Sequence, residues 1–142
     1  TAICPQGGKN MMIENCTFEN NGLLDPASTI DWEDGRIHIQ GHILRHNTFT
    51  KTDSKWNGML NIINGRDITI HDNKIMVPFF NGSESQNSRI YRNVFNVAKS
   101  SNLSLQSKTD MIFCGNVYNY EPTTAQPVGG NIIQADNTII ES

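Results

Sequence analysis

Charge is scarce in this chain: Asp, Glu, Lys and Arg make up 18% of its 142 residues, and the net charge is only −3. The basic residues are scattered, not clustered, which gives no basis for expecting nucleic acid as a partner. No hydrophobic run is long enough to span a bilayer, so membrane insertion is not expected. Cysteine is limited to Cys4, Cys16 and Cys114, with no metal-ligand spacing among them. That argues against zinc and leaves free or packed thiols. A sustained helical stripe, a GxSxG elbow, a P-loop and a dinucleotide fingerprint are all missing. The five prolines (Pro5, Pro26, Pro78, Pro122, Pro127) stand outside the segments described next, where a missing donor does no harm.

What is present is one short phrase that recurs. It reads Ile13-Glu14-Asn15-Cys16-Thr17-Phe18, Leu44-Arg45-His46-Asn47-Thr48-Phe49 and Ile70-His71-Asp72-Asn73-Lys74-Ile75. It returns as Ile90-Tyr91-Arg92-Asn93-Val94-Phe95 and as Phe113-Cys114-Gly115-Asn116-Val117-Tyr118, and a further copy starts at Asn137-Thr138-Ile139-Ile140. Each copy alternates apolar and polar residues up to a polar pair and then places an apolar residue two positions on. Alternation of this kind predicts a strand with one buried face. The spacing between copies is irregular, unlike a helical array of fixed period, and suits a parallel β-helix whose loops bulge freely between strands. The fold expected is an all-β, right-handed, single-stranded parallel β-helix of about five coils, forming one domain over residues 1–142.

Two columns sharpen this expectation. Asn47, Asn73, Asn93 and Asn116 align, with Cys16 in the first copy. Asparagine tolerates the left-handed backbone region, so it is the expected turn residue, and stacked amides can hydrogen-bond from coil to coil. Phe18, Phe49, Ile75, Phe95 and Tyr118 then make an internal stack. A second strand per coil is expected at 28–32, 58–63, 103–105 and 131–134, with a weaker counterpart near Phe79-Phe80. The chain opens just before a strand and stops within one, which predicts a fragment of a longer β-helix, since bare ends expose strand edges. Glycosylation triplets occur at Asn15, Asn81 and Asn102, the first of them expected to be structural.

The densest polar cluster is Asp31-Trp32-Glu33-Asp34-Gly35-Arg36. With Ile30 and Trp32 facing inward, Asp31 and Glu33 emerge together on the outside. Neighbouring carboxylates raise one another's proton affinity, so one can act as acid while the other is base or nucleophile; Asp31, Glu33 and Asp34 are the catalytic candidates. Trp32, or Trp56 on the next loop, offers a face for a sugar ring, and Arg36 can hold an anionic group. A hydrogen-bonded turn with a structural charge network, and a Ca²⁺ site of hard oxygen ligands, are the competing readings. A second candidate is the outward column Glu14, Arg45, His71, Tyr91, Cys114, a strip along which Arg45, His71 and Tyr91 can contact a linear polysaccharide. It can equally be a solvated face with a Glu14–Arg45 pair. His42 aligns with the inward positions Met11, Ile68 and Met111 and is expected inside.

The coil phrases resemble those of right-handed β-helix proteins with the pectin-lyase-like fold. The Ile30-Asp31-Trp32-Glu33-Asp34-Gly35 segment is similar to a motif of β-helical phage and prophage tail spikes and pre-neck appendages. That resemblance implies a homotrimeric adsorption protein of the virion tail. Such a protein contacts other virion proteins and binds, and in hydrolytic members cleaves, a host surface glycan, capsule or teichoic acid. No cofactor is implied beyond the Ca²⁺ reading. The paired-Asp motif of polygalacturonases and the calcium-and-arginine constellation of pectate lyases are missing, so neither activity is expected. A secreted monomeric carbohydrate-active enzyme and a purely structural β-helical shaft are the alternatives.

Overall fold

The computed structural model describes residues 2–21, 28–32, 39–51, 58–97, 103–124 and 131–140. Every described strand pairs in parallel with strands one coil away, and no helix occurs among the described residues. Sheet 1 stacks Met12–Glu14, Ile43–Arg45, Thr69–His71, Arg89–Tyr91, Met111–Cys114 and Ile132–Ala135. Sheet 2 stacks Thr17–Glu19, Thr48–Thr50, Lys74–Ile75, Val94–Phe95, Val117–Tyr118 and Thr138–Ile139. Sheet 3 holds Ser28–Trp32, Met59–Ile62, Phe79–Asn81, Leu103–Leu105 and Thr123–Thr124. The chain visits the three sheets in that order and begins again one layer on, so the molecule is a parallel β-solenoid. A short fourth ladder pairs Gly8–Lys9 with Ile39–Gln40 and continues through single bridges to Arg66 and Gln86.

The core follows from the period of two. Ile13, Leu44, Ile70, Ile90 and Phe113 lie in register on the inner face of sheet 1. Phe18, Phe49, Ile75, Phe95 and Tyr118 do the same on sheet 2. Because parallel strands repeat at about 4.8 Å, like side chains stack on like. The Phe18 and Phe49 rings are 4.8 Å apart and 1° from parallel. Each fully buried aliphatic or aromatic side chain contributes roughly 1.5–3 kcal/mol, and these columns run the length of the stack. The weak signal at Phe79-Phe80 does form a strand, with Phe79 buried beside Leu60 and Leu103.

The asparagine column is a continuous ladder. The backbone N–H groups of Cys16, Asn47, Asn73, Asn93 and Asn116 donate to Oδ1 of Asn47, Asn73, Asn93, Asn116 and Asn137, at 2.9–3.0 Å. The steps span 31, 26, 20, 23 and 21 residues, so loops of different length are absorbed without breaking it. Each Nδ2 also reaches back to a core-strand carbonyl, as Asn93 does to Ile70 at 3.0 Å.

Two expectations need correction. The left-handed turn falls one residue before the ladder, on Asn15, His46, Asp72, Arg92, Gly115 and Asp136, with φ between 51° and 62°. The ladder asparagines themselves stay outside that region, because their amides must point inward to be shared. The last coil is also shifted relative to the sequence reading. Residues 132–135 pair with 111–114 in sheet 1, and Thr138–Ile139 pairs with Val117–Tyr118 in sheet 2. Gln134, rather than an isoleucine of the 137–140 copy, therefore takes the register position after Phe113, where it is exposed, because the Asp136-Asn137 pair supplies the turn and the ladder oxygen.

Candidate functional site

Asp31 sits on the outward face of sheet 3, half-buried, in register with Asn61, Phe80 and Ser104. Asn61 Nδ2 donates to its Oδ1 at 3.0 Å, and its backbone N–H donates to Ile3 O. Asp31 is thus on the outside, as alternation requires. Its expected partners Glu33, Asp34 and Arg36 lie outside the described residues, as does Trp56. Trp32 is corrected. Its side chain is completely buried, in register with Ile62, and its Nε1–H donates to His42 Nδ1 at 3.1 Å. A ring so enclosed has no face to give a saccharide, because burial in the core and sugar stacking compete for the same surface.

The outward column of sheet 1 assembles as its alternation predicts: Glu14, Arg45, His71, Tyr91 and Cys114 occupy successive registered positions. Arg45 Nε donates to Glu14 Oε2 at 2.7 Å. The His71 and Tyr91 rings stack at 4.9 Å with 5° between their planes, and the Arg92 guanidinium lies 4.8 Å from the Tyr91 centroid. The left-handed turn residues stand beside this column and complete the strip. His46 meets His71 edge-on at 5.9 Å. Asp72 receives Arg92 through two donors, Nε at 2.9 Å and Nη2 at 2.8 Å, and lies 2.6 Å from His71 Nδ1.

The electrostatics follow from these contacts. Hydrogen bonding from Arg92 holds the Asp72 carboxyl far below the ordinary carboxylate range against the opposing effect of burial, and His71 adds a lesser lowering. Arg92 is pushed upward in turn by the same carboxylate. The strip is therefore a line of cross-coil ion pairs and stacked rings. Its outermost groups are Arg92, with 61% of its side chain exposed, and the Glu14–Arg45 pair. The aromatic faces are largely given to each other, so a ligand would meet ring edges and the charged groups.

Sequence reasoning missed His46, Asp72 and Arg92. The signal was the polar residue just before each ladder position, which the turn geometry turns outward beside the strip. Asn81, one glycosylation candidate, is fully buried in line with Ile62 and Leu105 and accepts from Ser88 Oγ, so it offers no glycan attachment. Asn15 is an exposed turn residue, and Asn102 lies outside the described residues. Cys4, Cys16 and Cys114 are free thiols. Among the described residues, no group of three or more His, Cys, Asp or Glu side chains converges to hold a metal. The acidic run considered for Ca²⁺ extends beyond them at Glu33 and Asp34. No family model, curated protein or solved structure matches this chain; the parallel β-solenoid architecture is the class it defines.

Proposed function

We propose that this chain is a coil segment of a β-helical adsorption protein of the tail-spike kind, one that binds a host cell-surface polysaccharide or teichoic acid. The observation that supports it best is the registered strip Glu14–Arg45–His71–Tyr91 with His46, Asp72 and Arg92 beside it. A linear polymer lying along the solenoid axis meets a guanidinium, an imidazole, a phenol and a second guanidinium in succession. Homotrimeric assembly, residence on the virion tail and hydrolysis through Asp31 with Glu33 and Asp34 belong to the same proposal. Calorimetric titration of the protein with purified capsule or teichoic acid tests it. Removing the guanidinium in Arg92→Ala or Arg45→Ala is expected to weaken binding about tenfold, the worth of a charge-assisted hydrogen bond. Equal affinity in wild type and both variants would falsify the strip as a binding surface. Release of product unchanged in Asp31→Asn and Glu33→Gln would remove hydrolysis from the proposal.

One observation favours a second reading, the structural shaft. Arg45 and Arg92 already have carboxylate partners in the neighbouring coil. In that reading the strip ties coils together and binds nothing, and the same titration returns no heat for any variant.

A further inference from the structure

Inside the solenoid, sheet 3 and sheet 1 meet through a buried tryptophan–histidine contact that the strip does not involve. His42 is 1% exposed and occupies an inner column with Met11, Ile68, Ser88 and Met111. Its Nδ1 accepts the Trp32 Nε1–H at 3.1 Å, and Trp32 itself is fully buried. An imidazole can accept at Nδ1 only when neutral, with its proton on Nε2. That Nε2 is buried and has no hydrogen-bond partner. The Gly8 backbone, on the short fourth ladder, favours a proton on the ring, but burial outweighs it and draws the pKa below the ordinary 6.5. The groups that face the ring are thus the Trp32 indole, the Gly8 backbone and the uncharged column residues. Among the described residues, no carboxylate or cation acts on it.

We propose that the Trp32–His42 pair is an acid-released latch. The neutral imidazole holds strand Ser28–Trp32 of sheet 3 to the start of strand Ile43–Arg45 of sheet 1, and protonation of its Nδ1 opens that junction. A proton from solvent takes the lone pair that receives the indole N–H. The two N–H groups then oppose each other, and a cation is left inside a buried column with no counter-charge among the described residues. The neutral form is the one the fold binds, so the latch holds fully above the unfolded-state value of 6.5 and weakens as the pH falls below it. Each unit by which burial lowers the folded value corresponds to about a tenfold shift toward the open form at acid pH. Opening exposes the Trp32 indole next to Asp31, an aromatic face that the closed coil withholds.

Fluorescence reads this directly, because Trp32 and Trp56 are the two tryptophans of the chain. In Trp56→Phe, Trp32 emission should shift to the red and acrylamide quenching should rise, reversibly, as the pH is lowered from above 6.5 down to the onset of global acid unfolding. His42→Gln retains an acceptor that does not titrate and should remove the transition. A Trp32 signal that stays constant over that range, or a transition unchanged in His42→Gln, overturns the latch. Proton NMR of the unaltered chain gives a second reading should the Gln variant not fold. The His42 ring should titrate below 6.5 together with loss of the Trp32 indole N–H resonance, and a midpoint at or above 6.5 overturns the proposal.

Discussion

Replacing Asn93 by alanine should damage the solenoid more than any surface change, and the loss can be worked from its bonds. Asn93 is fully buried. Its Oδ1 receives the backbone N–H and the Nδ2 of Asn73, both at 3.0 Å. Its Nδ2 donates to Ile70 O, Tyr91 O and Asn116 Oδ1 at 3.0–3.1 Å. In the alanine variant the Asn73 side-chain amide keeps Leu44 O and His71 O, so it stays satisfied. The Asn73 backbone N–H has no such second partner on the ladder. A buried donor left unpaired costs about 1–3 kcal/mol, and the lost bond to Ile70 adds about 1 kcal/mol. The expected destabilisation is therefore about 3 kcal/mol in urea titration, with the Asn73 amide losing hydrogen-exchange protection first. Asn96→Ala, one residue beyond the Val94–Phe95 strand and exposed, is the control and should fall within about 0.5 kcal/mol of wild type. Asn93→Asp separates the two halves of the amide. Its oxygen still accepts from Asn73, but a buried carboxylate faces the Ile70 and Tyr91 carbonyls, which raises its pKa in the folded state. That variant should gain stability relative to wild type as the pH falls through the raised value, because the protonated carboxyl donates again. An Asn93→Ala variant as stable as the Asn96 control would refute the ladder as a source of stability.

Other outcomes follow from the turn column and its ion pairs. His46 holds φ 54° as an exposed residue, so His46→Asn should raise stability by about 0.5–1 kcal/mol in thermal melts, whereas His46→Val should lower it. Cys16→Asn should add a side-chain rung above Asn47 and stabilise the first coil by about 0.5–1 kcal/mol, read as slower amide exchange at Thr17. Asp72 has its folded pKa depressed, so its contribution is complete above the ordinary 3.8 and disappears as the pH falls below it. Asp72→Asn keeps a residue that accepts the left-handed turn and should flatten that acid limb in a comparison of melts from about pH 5 to pH 2.

The solenoid is legible in this sequence because its core repeats. Leu44-x-x-Asn47-x-Phe49 and its copies carry strand, ladder and core within six residues, and no loop length between them disturbs the registration. The turn position was not legible, since asparagine fits both a left-handed corner and a shared amide, and only three-dimensional register shows that the amide wins. The last coil was misread for a related reason. Ile139 and Ile140 look like a strand entering the core, while the polar Gln134 occupies the column that Phe113 leads to. The strip was half visible: alternation placed Arg45, His71 and Tyr91 together, but Arg92 and His46 reach it through the left-handed turn one residue before the ladder, which strand alternation alone does not place. Trp32 was read both as inward and as a sugar platform, and its burial against Ile62 and His42 leaves only the first.

The asparagine ladder also has a direction, and that makes the length of the protein adjustable in whole coils. Each rung gives a backbone N–H to the oxygen one coil later, so a coil asks of its successor only an asparagine at the right place. Any coil that carries one can follow any other, whatever the size of its loops. Deleting the 20 residues from Asn73 through Arg92 would deliver the Asn47 N–H to Asn93 Oδ1, Leu44 would keep Ile70 as its neighbour, and Phe49 would meet Phe95. Duplicating the same stretch would insert one more rung. Lengthening and shortening thus become single genetic events that leave the packing rules intact, and surface residues such as those of the strip can diversify on a frame that does not need to be reinvented.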